Sequence, residues 1–501
     1  YGAFFRRVAD LIGERTGLDV DAENLGGDVC GHADLGSRPM ESTKPLKPVI
    51  NVPPGVVVAG DQLQNTSAIP CLQCLQVCHD RRVGIGGPRG ARTTDRPGGK
   101  LMNALILSHQ KTLLPLLQAF GANFPVAPAG ESFVRTPLAG RRLRLGLVTA
   151  DLHYQHPVNI FMQPILREID RSRFEVFVYF TGVSQDAQTV QASQRVEHWV
   201  QATSLNDLQL AKRIDSDAID VLVDLSGHTS NNRMGLFASR AAPVQVSYLG
   251  YPGSTGVPNI DWLLADPVVV PPEHDALCTE RVHRLPHTVF CYAPEVDYPY
   301  PNYTQVHAER TLTFGSFNNV PKITQHTVAL WARVLKEVPD SQLLLKAPSF
   351  KDEGAVRAFG ERLLALGVDL ARVEFRGPVG LTDMMAEYAD VDIALDPVPY
   401  NGGTTSLQAM WMGVPVLCQH GGHFVSRMGA SFMAAAGLPE WVAQDDEQYV
   451  AIAQRMAADR QALLALKVGM RKRLQALPAW NVVQHTRHFE QAVLQAAEHC
   501  A

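Results

Sequence analysis

From residue 143 onward, short apolar runs alternate with segments in which apolar side chains recur at every third or fourth position. The runs read as buried strands and the three-to-four spacing as one face of a helix. Strands are predicted over 143–149, 174–180, 220–225 and 243–249. Between them lie helices, one with Phe161, Ile165, Leu166 and Ile169 on its apolar face and another over 205–214. The texture resumes after a Pro/Tyr-rich connection at 293–303, with strands at 311–317, 341–346, 372–375, 391–395 and 414–418 and helices at 324–336 and 352–366. Residues 447–495 read as mostly helical, broken near Pro478. Strand and helix in strict alternation predict parallel sheets covered on both faces. The expected fold is therefore α/β, with two Rossmann-like domains at 141–300 and 308–480 facing a cleft and a C-terminal helix at 481–501. Upstream the periodicity fails. Residues 1–100 are dense in Gly, Pro and Arg and are expected to be poorly ordered. Residues 101–140 read as a helical lead-in, carrying Leu101, Leu105, Leu113 and Leu117, followed by a Pro-rich linker.

Composition narrows the picture. A chain of 501 residues is too long for one core. A net charge of −5 without a long basic run argues against a nucleic-acid partner, and no apolar stretch is long enough to span a membrane. The first residues, Tyr-Gly-Ala-Phe-Phe-Arg-Arg, precede no apolar core of a secretory signal. Eight scattered cysteines fit a reducing, cytoplasmic setting. Cys71, Cys74 and Cys78, with Cys30 or His32 at a distance, have the composition of a metal site but sit in linker-like sequence, and no metal is expected there.

The chemistry should lie beyond the carboxyl ends of the strands. The stretch Asp396-Pro-Val-Pro-Tyr-Asn-Gly-Gly-Thr-Thr405 leaves the strand at 391–395 and enters a helix bearing Leu407, Met410 and Trp411 on one face. Gly402 and Gly403 let the backbone come close to a ligand, and Thr404 and Thr405 stand where a hydroxyl cap is expected. The bare N–H groups of such a helix start suit a phosphate. Lys322, in Asn318-Asn-Val-Pro-Lys after the strand at 311–317, is placed to neutralise a departing diphosphate. On the first domain, the loop Asp151-Leu-His-Tyr-Gln-His-Pro157 offers His156, and Gly227-His-Thr229 offers His228. The loop 249–256 completes that edge. The strings Asp215-Ser-Asp217 and Asp390-Val-Asp392 fall away from the ligand face. No GxxxxGK[ST] occurs and no GxGxxG follows the first strand, so neither a Walker ATPase nor a dinucleotide enzyme is indicated. Two readings remain from the residues alone: an enzyme that uses a nucleotide-activated substrate, or a binding protein on an inert two-domain fold.

Taken together, these motifs resemble glycosyltransferase family 41, the O-linked N-acetylglucosamine transferases and their bacterial relatives, from about residue 143 to 489. The carriers are residues 396–405 with Trp411-Met-Gly-Val-Pro415, Asp224-Leu-Ser-Gly-His-Thr229, residues 242–253, Ser316-Phe-Asn-Asn319 with Lys322, and Ser426-Arg427 with Gly429-Ala-Ser431. The resemblance implies a GT-B architecture and inverting, metal-independent transfer of N-acetylglucosamine from UDP to a protein Ser or Thr, with no cofactor beyond the UDP-sugar donor. By motif match, Lys322 and Asn319 would meet the diphosphate, and Gly402, Gly403, Thr404 and Thr405 would hold phosphate. His156 would stand for the family's active-site His-Pro. Gln408, Val379, His228, Tyr251, Pro252 and Gly253 would complete the substrate-binding set. Three departures stand out. Gln408 replaces a carboxylate that binds the ribose, Met384 stands where a His often packs on the base, and no repeat of about 34 residues precedes the domains. Related members use GDP-fucose, or UDP-glucose on Asn, and the turn does not separate these donors. A degenerate, non-catalytic relative is the remaining alternative.

Overall fold

The computed structural model describes residues 110–122, 140–154 and 156–499. The cysteines at 30, 71, 74 and 78 lie outside these residues, as does the expected low-order segment. The chain divides into two compact units, the first ending at Asn123. In that first unit the described element is a helix, Gln110–Gly121.

The second unit holds two parallel sheets. The first runs β1 Leu143–Thr149, β2 Phe174–Phe180, β3 His198–Gln201, β4 Val221–Asp224, β5 Val244–Ser247, β6 Trp262–Ala265 and β7 Arg281–Arg284. Its spatial order is β3-β2-β1-β4-β5-β6-β7. The second comprises β8 Leu312–Ser316, β9 Ser341–Lys346, β10 Val373–Arg376, β11 Ile393–Leu395, β12 Val416–Gln419 and β13 Val442–Ala443, in the order β10-β9-β8-β11-β12-β13. All of the pairings are parallel; β1, for example, sets Leu143 beside Phe174 and Leu145 beside Val221. Each sheet reverses direction beside its first strand, at the β1/β4 and β8/β11 neighbours, and ligands of open α/β sheets bind at such a switch point.

Local sequence accounts for the elements. The central strands are apolar on both faces because helices cover both, so β1, β4, β5 and β8 are almost wholly buried. Helices begin where a side chain meets the orphan amides. Asp186 caps Ala187–Gln194 with a reciprocal bond from Thr189, and Thr324 caps Gln325–Glu337 through Thr327 N. Strands β3, β6, β7 and β13 and the helix Leu381–Glu387 were not predicted by the apolar pattern. The strands are two to four residues long, and β3 and β7 are half-exposed sheet edges.

The lobes are joined through buried polar contacts. Asp266, after β6, accepts from the Ser431 hydroxyl at 2.8 Å, and Arg427 donates to Val268 O at 2.6 Å. The tail runs through Arg460–Ala476, turns at Pro478–Trp480, and returns as the helix Val482–His499 to pack on Pro157–Glu168 of the first lobe. There Glu490 accepts from Asp170 N at 2.7 Å and Phe489 lies 5.4 Å from the Tyr248 ring. No described helix is long and apolar enough to cross a membrane.

Candidate active site

The turn between β11 and the helix Thr404–Trp411 is built around one carboxylate. Asp396 is buried, and its Oδ1 accepts from Gly402 N at 2.9 Å and from the Ser406 hydroxyl at 2.9 Å, closing residues 396–406 into a loop. Burial pushes its carboxyl up to about 6, an effect opposed by those two donors and by the charge of Lys322. Position 402 has no room for a side chain. A Cβ there would stand 2.1 Å from Ser406 Oγ and 2.6 Å from Asp396 Oδ1. Around Gly403 nothing lies within 4 Å of that position, so the backbone is bare where the helix starts.

The expected hydroxyl cap is not what forms. The cap position is Gly403, which makes no side-chain bond, and Thr405 turns its hydroxyl to donate to Asn318 Oδ1 at 3.0 Å. A glycine cap leaves the first amides of Thr404 and Thr405 without an acceptor from the helix itself. The start of the helix thus keeps both its free N–H groups and its partial positive charge. Of the adjacent asparagines, Asn318 is buried against this turn, whereas Asn319 is exposed and uses its carbonyl to accept from Lys322 N. The motif match assigns the diphosphate to Asn319, and the side chain bonded to the turn is that of Asn318.

Lys322 lies at the end of a short 3-10 turn, Val320–Lys322, and reaches back onto the same structure. Its amine donates to Asn401 O at 3.0 Å and stands 4.0 Å from the centre of the Tyr400 ring. Desolvation pulls the ammonium down to about 8, with Asp396 acting the other way. Asn401 fixes the neighbouring segment by accepting from Gly429 N at 3.2 Å. Gln408 is buried on the same helix, four positions on from Thr404, while Val379 is exposed and Met384 half-buried on a separate stretch.

The first lobe brings its own loops to the carboxyl ends of β1, β4 and β5. His156 caps the helix Pro157–Glu168, with Nδ1 accepting from Val158 N at 3.3 Å, and its Nε2 is 3.7 Å from Asp151 Oδ1. Burial and the nearby His153 lower the imidazole to about 4, so it is neutral at pH 7. With Nδ1 accepting, the neutral ring carries its proton on Nε2. In this arrangement His156 presents an N–H and offers no basic lone pair. Asp151 is itself buried; desolvation and the charge of Asp224 push it up to about 7, with Ser226 opposing. Its Oδ2 has no hydrogen-bond partner. Asp151, His153 and His156 present ligand-type atoms within 4.8 Å of one another, the one such group among the described residues.

His228 is buried, its Nε2 at 2.6 Å from Thr255 O and its ring edge-on to Tyr251 at 4.9 Å. It acts as scaffolding for the 250–256 loop, in which Tyr251 is also buried and Pro252 and Gly253 are half-exposed. Glu280 holds that loop from behind, accepting from Thr255 N at 2.8 Å and the Ser254 hydroxyl at 2.7 Å. Burial, with a smaller contribution from Tyr400 of the other lobe, raises the Tyr251 phenol. One carboxylate of each Asp-x-Asp string is committed elsewhere. Asp392 accepts from Thr313 N at 2.9 Å and pairs with Lys467 at 2.9 Å, and Asp217 accepts from Tyr179 at 2.9 Å.

The sequence profile of glycosyl transferase family 41 matches residues 131–299 and 302–489. The rice (Oryza sativa subsp. japonica) protein described as a probable UDP-N-acetylglucosamine–peptide N-acetylglucosaminyltransferase SPINDLY is 34% identical over 370 residues, 73% of this chain and 40% of its own. Its Arabidopsis thaliana counterpart SPINDLY is 33% identical over 346 residues, 68% of this chain and 38% of that protein. The chain thus spans about two fifths of the length of these relatives. Among solved structures, a Lys-to-Met variant of the Thermobaculum terrenum O-GlcNAc transferase superposes with a TM-score of 0.75 at 32% identity, covering 81% of this chain and 78% of its own.

Proposed function

This chain belongs to glycosyl transferase family 41, with the GT-B architecture of two parallel-sheet lobes, and from that premise we propose that it is an inverting, metal-independent glycosyltransferase moving N-acetylglucosamine from UDP-N-acetylglucosamine to the hydroxyl of a protein serine or threonine. The observation that carries the reading is the convergence of the Lys322 amine and the uncapped start of the helix Thr404–Trp411 on one turn. A diphosphate placed there meets backbone amides and an ammonium, the two kinds of charge a leaving UDP needs. One carboxylate of each Asp-x-Asp string, Asp392 and Asp217, serves an internal partner.

In the reaction the acceptor hydroxyl attacks the anomeric carbon from the face opposite the diphosphate, and its proton passes to the departing diphosphate or to water. The bond from that carbon to the β-phosphate oxygen breaks, and both of its electrons leave with UDP. Lys322 and the amides of Gly403 to Thr405 stabilise the charge that appears on the diphosphate. His156, neutral and carrying its proton on Nε2, is suited to orient substrate by donating a hydrogen bond.

The test is transfer from radiolabelled UDP-N-acetylglucosamine to protein acceptors, beside calorimetric titration with UDP, GDP and ADP. Binding of UDP with label appearing on serine or threonine is expected. Binding of GDP alone would replace this donor, and the absence of any nucleotide binding would make the chain a non-catalytic relative.

A further inference from the structure

The loop after β1 holds a group that the transfer reaction does not need. Asp151, His153 and His156 come from six consecutive residues, and the helix Pro157–Glu168 fixes the last of them at its cap. The Asp151–His156 separation is 3.7 Å, the two imidazole rings are 5.0 Å apart, and every pair of candidate ligand atoms falls within 4.8 Å. Ligands around a tetrahedral zinc ion, at about 2.0 Å from the metal, stand roughly 3.3 Å from one another. Small rotations of the half-buried His153 and His156 would close the difference. A second observation points the same way. Asp151 is buried and its Oδ2 has no partner in hydrogen-bond geometry, although the Ser226 hydroxyl stands near enough to hold the carboxyl down, so one oxygen is left to take another ligand.

We infer that Asp151, His153 and His156 form a binding site for a borderline transition-metal ion such as Zn2+, and that filling it switches off sugar transfer. Two imidazoles and one carboxylate select zinc, nickel or copper over magnesium or calcium, and three protein ligands leave the fourth position to water. Ligation through His156 Nε2 moves the ring proton to Nδ1 and gives up the cap on Val158. It also removes the N–H that His156 offers to substrate, so the inhibitory half of the inference rests on the function proposed above. The ion is not a cofactor in this scheme; it competes with the donor or acceptor for His156.

The experiment compares the full chain with His153→Ala and Asp151→Asn. Calorimetry with ZnCl2 should show one equivalent in the unaltered chain that is lost, or weakened about a hundredfold, in either variant, a loss that even outer-shell partners of a metal can reach. Cys71, Cys74 and Cys78 could take a separate ion, so the reading is the difference between proteins. Substitution by Co2+ sharpens it, because the site assigned here has no thiolate and the band lost in His153→Ala should lack sulfur-to-cobalt charge transfer. Transfer by the unaltered chain should fall on adding Zn2+ and return with EDTA, while His153→Ala keeps its basal rate and becomes insensitive. Equal zinc stoichiometry in all three proteins would overturn the site, and undiminished transfer by the zinc-loaded chain would overturn the inhibition. The calorimetric arm needs no sugar transfer, so it decides the site even if the proposed activity is wrong.

Discussion

Lys322 combines two demands that oppose each other. Its amine is drawn out of water onto the Tyr400 ring and Asn401 O, and this desolvation lowers it to about 8. A lysine whose folded value lies below its unfolded one costs stability while protonated, and that cost fades as pH rises from about 8 toward the ordinary lysine value. The diphosphate wants the opposite, a full ammonium. Lys322→Met should therefore melt at a higher temperature than the unaltered chain at neutral pH while transferring sugar about a hundredfold more slowly, the scale of one lost preorganised donor. A thermal melt and a transfer assay on the same preparation check both halves, and near-normal turnover would remove Lys322 from the reaction. By the same sign, UDP affinity should hold below about 8 and decline above it. Calorimetry across that range should show the decline in the unaltered chain and a flat profile in Lys322→Ala. Legible in the sequence was that a lysine after a strand of the second lobe stands near the turn, where its amine meets Asn401 O. The choice between Asn318 and Asn319 was not. Which of two adjacent side chains turns inward as a strand ends depends on the backbone of the exit, and local sequence does not specify it.

One scale up, the phosphate turn stands on Asp396 more than on its glycines. Sequence showed a strand, two glycines and a helix, and it suggested a threonine cap because threonine so often provides one. What it could not show is a carboxylate six residues upstream folding over Gly402 and Ser406 and leaving the cap to Gly403. The substitutions separate these roles. Gly402→Ala drives a methyl group into Ser406 Oγ and Asp396 Oδ1, and overpacking of that kind costs about 1–3 kcal/mol. Nucleotide binding should be lost together with that stability. Asp396→Ala leaves a buried amide and a buried hydroxyl without their acceptor, about 1–3 kcal/mol for each group. Asp396→Asn keeps an oxygen in the same place and should retain most of the stability. Urea denaturation of the three variants with UDP titration orders them. If Asp396→Ala were as stable as Asp396→Asn, the carboxylate would not be what closes the turn. The missed strands have a related cause. Segments such as His198-Trp-Val-Gln are short and half-exposed, so pairing with a neighbour makes them strands where their own apolar pattern is too brief to say so.

At the scale of the molecule, the tail helix Val482–His499 belongs to the first lobe although the chain reaches it through the second. Its helical period was readable. Its destination was not, because the bond from Asp170 N to Glu490 joins residues 320 positions apart. Phe489 and Val493 are fully buried, Phe489 against Tyr248, and Arg487 donates to Glu168 O at the end of the helix that His156 caps. The donor half of the site sits on the second lobe and does not depend on that packing. Phe489→Ala should accordingly cost about 3–5 kcal/mol of stability, the range for truncating a buried aromatic. It should also lower sugar transfer by a larger factor than it lowers UDP affinity, since the damage falls in the first lobe, which carries His156, and leaves Lys322 and the turn of residues 396–406 in place. Thermal melts, UDP calorimetry and transfer rates measured below the melting range give the comparison. If transfer and UDP affinity fell by the same factor, the tail would be steadying the whole unit and not its acceptor-facing lobe.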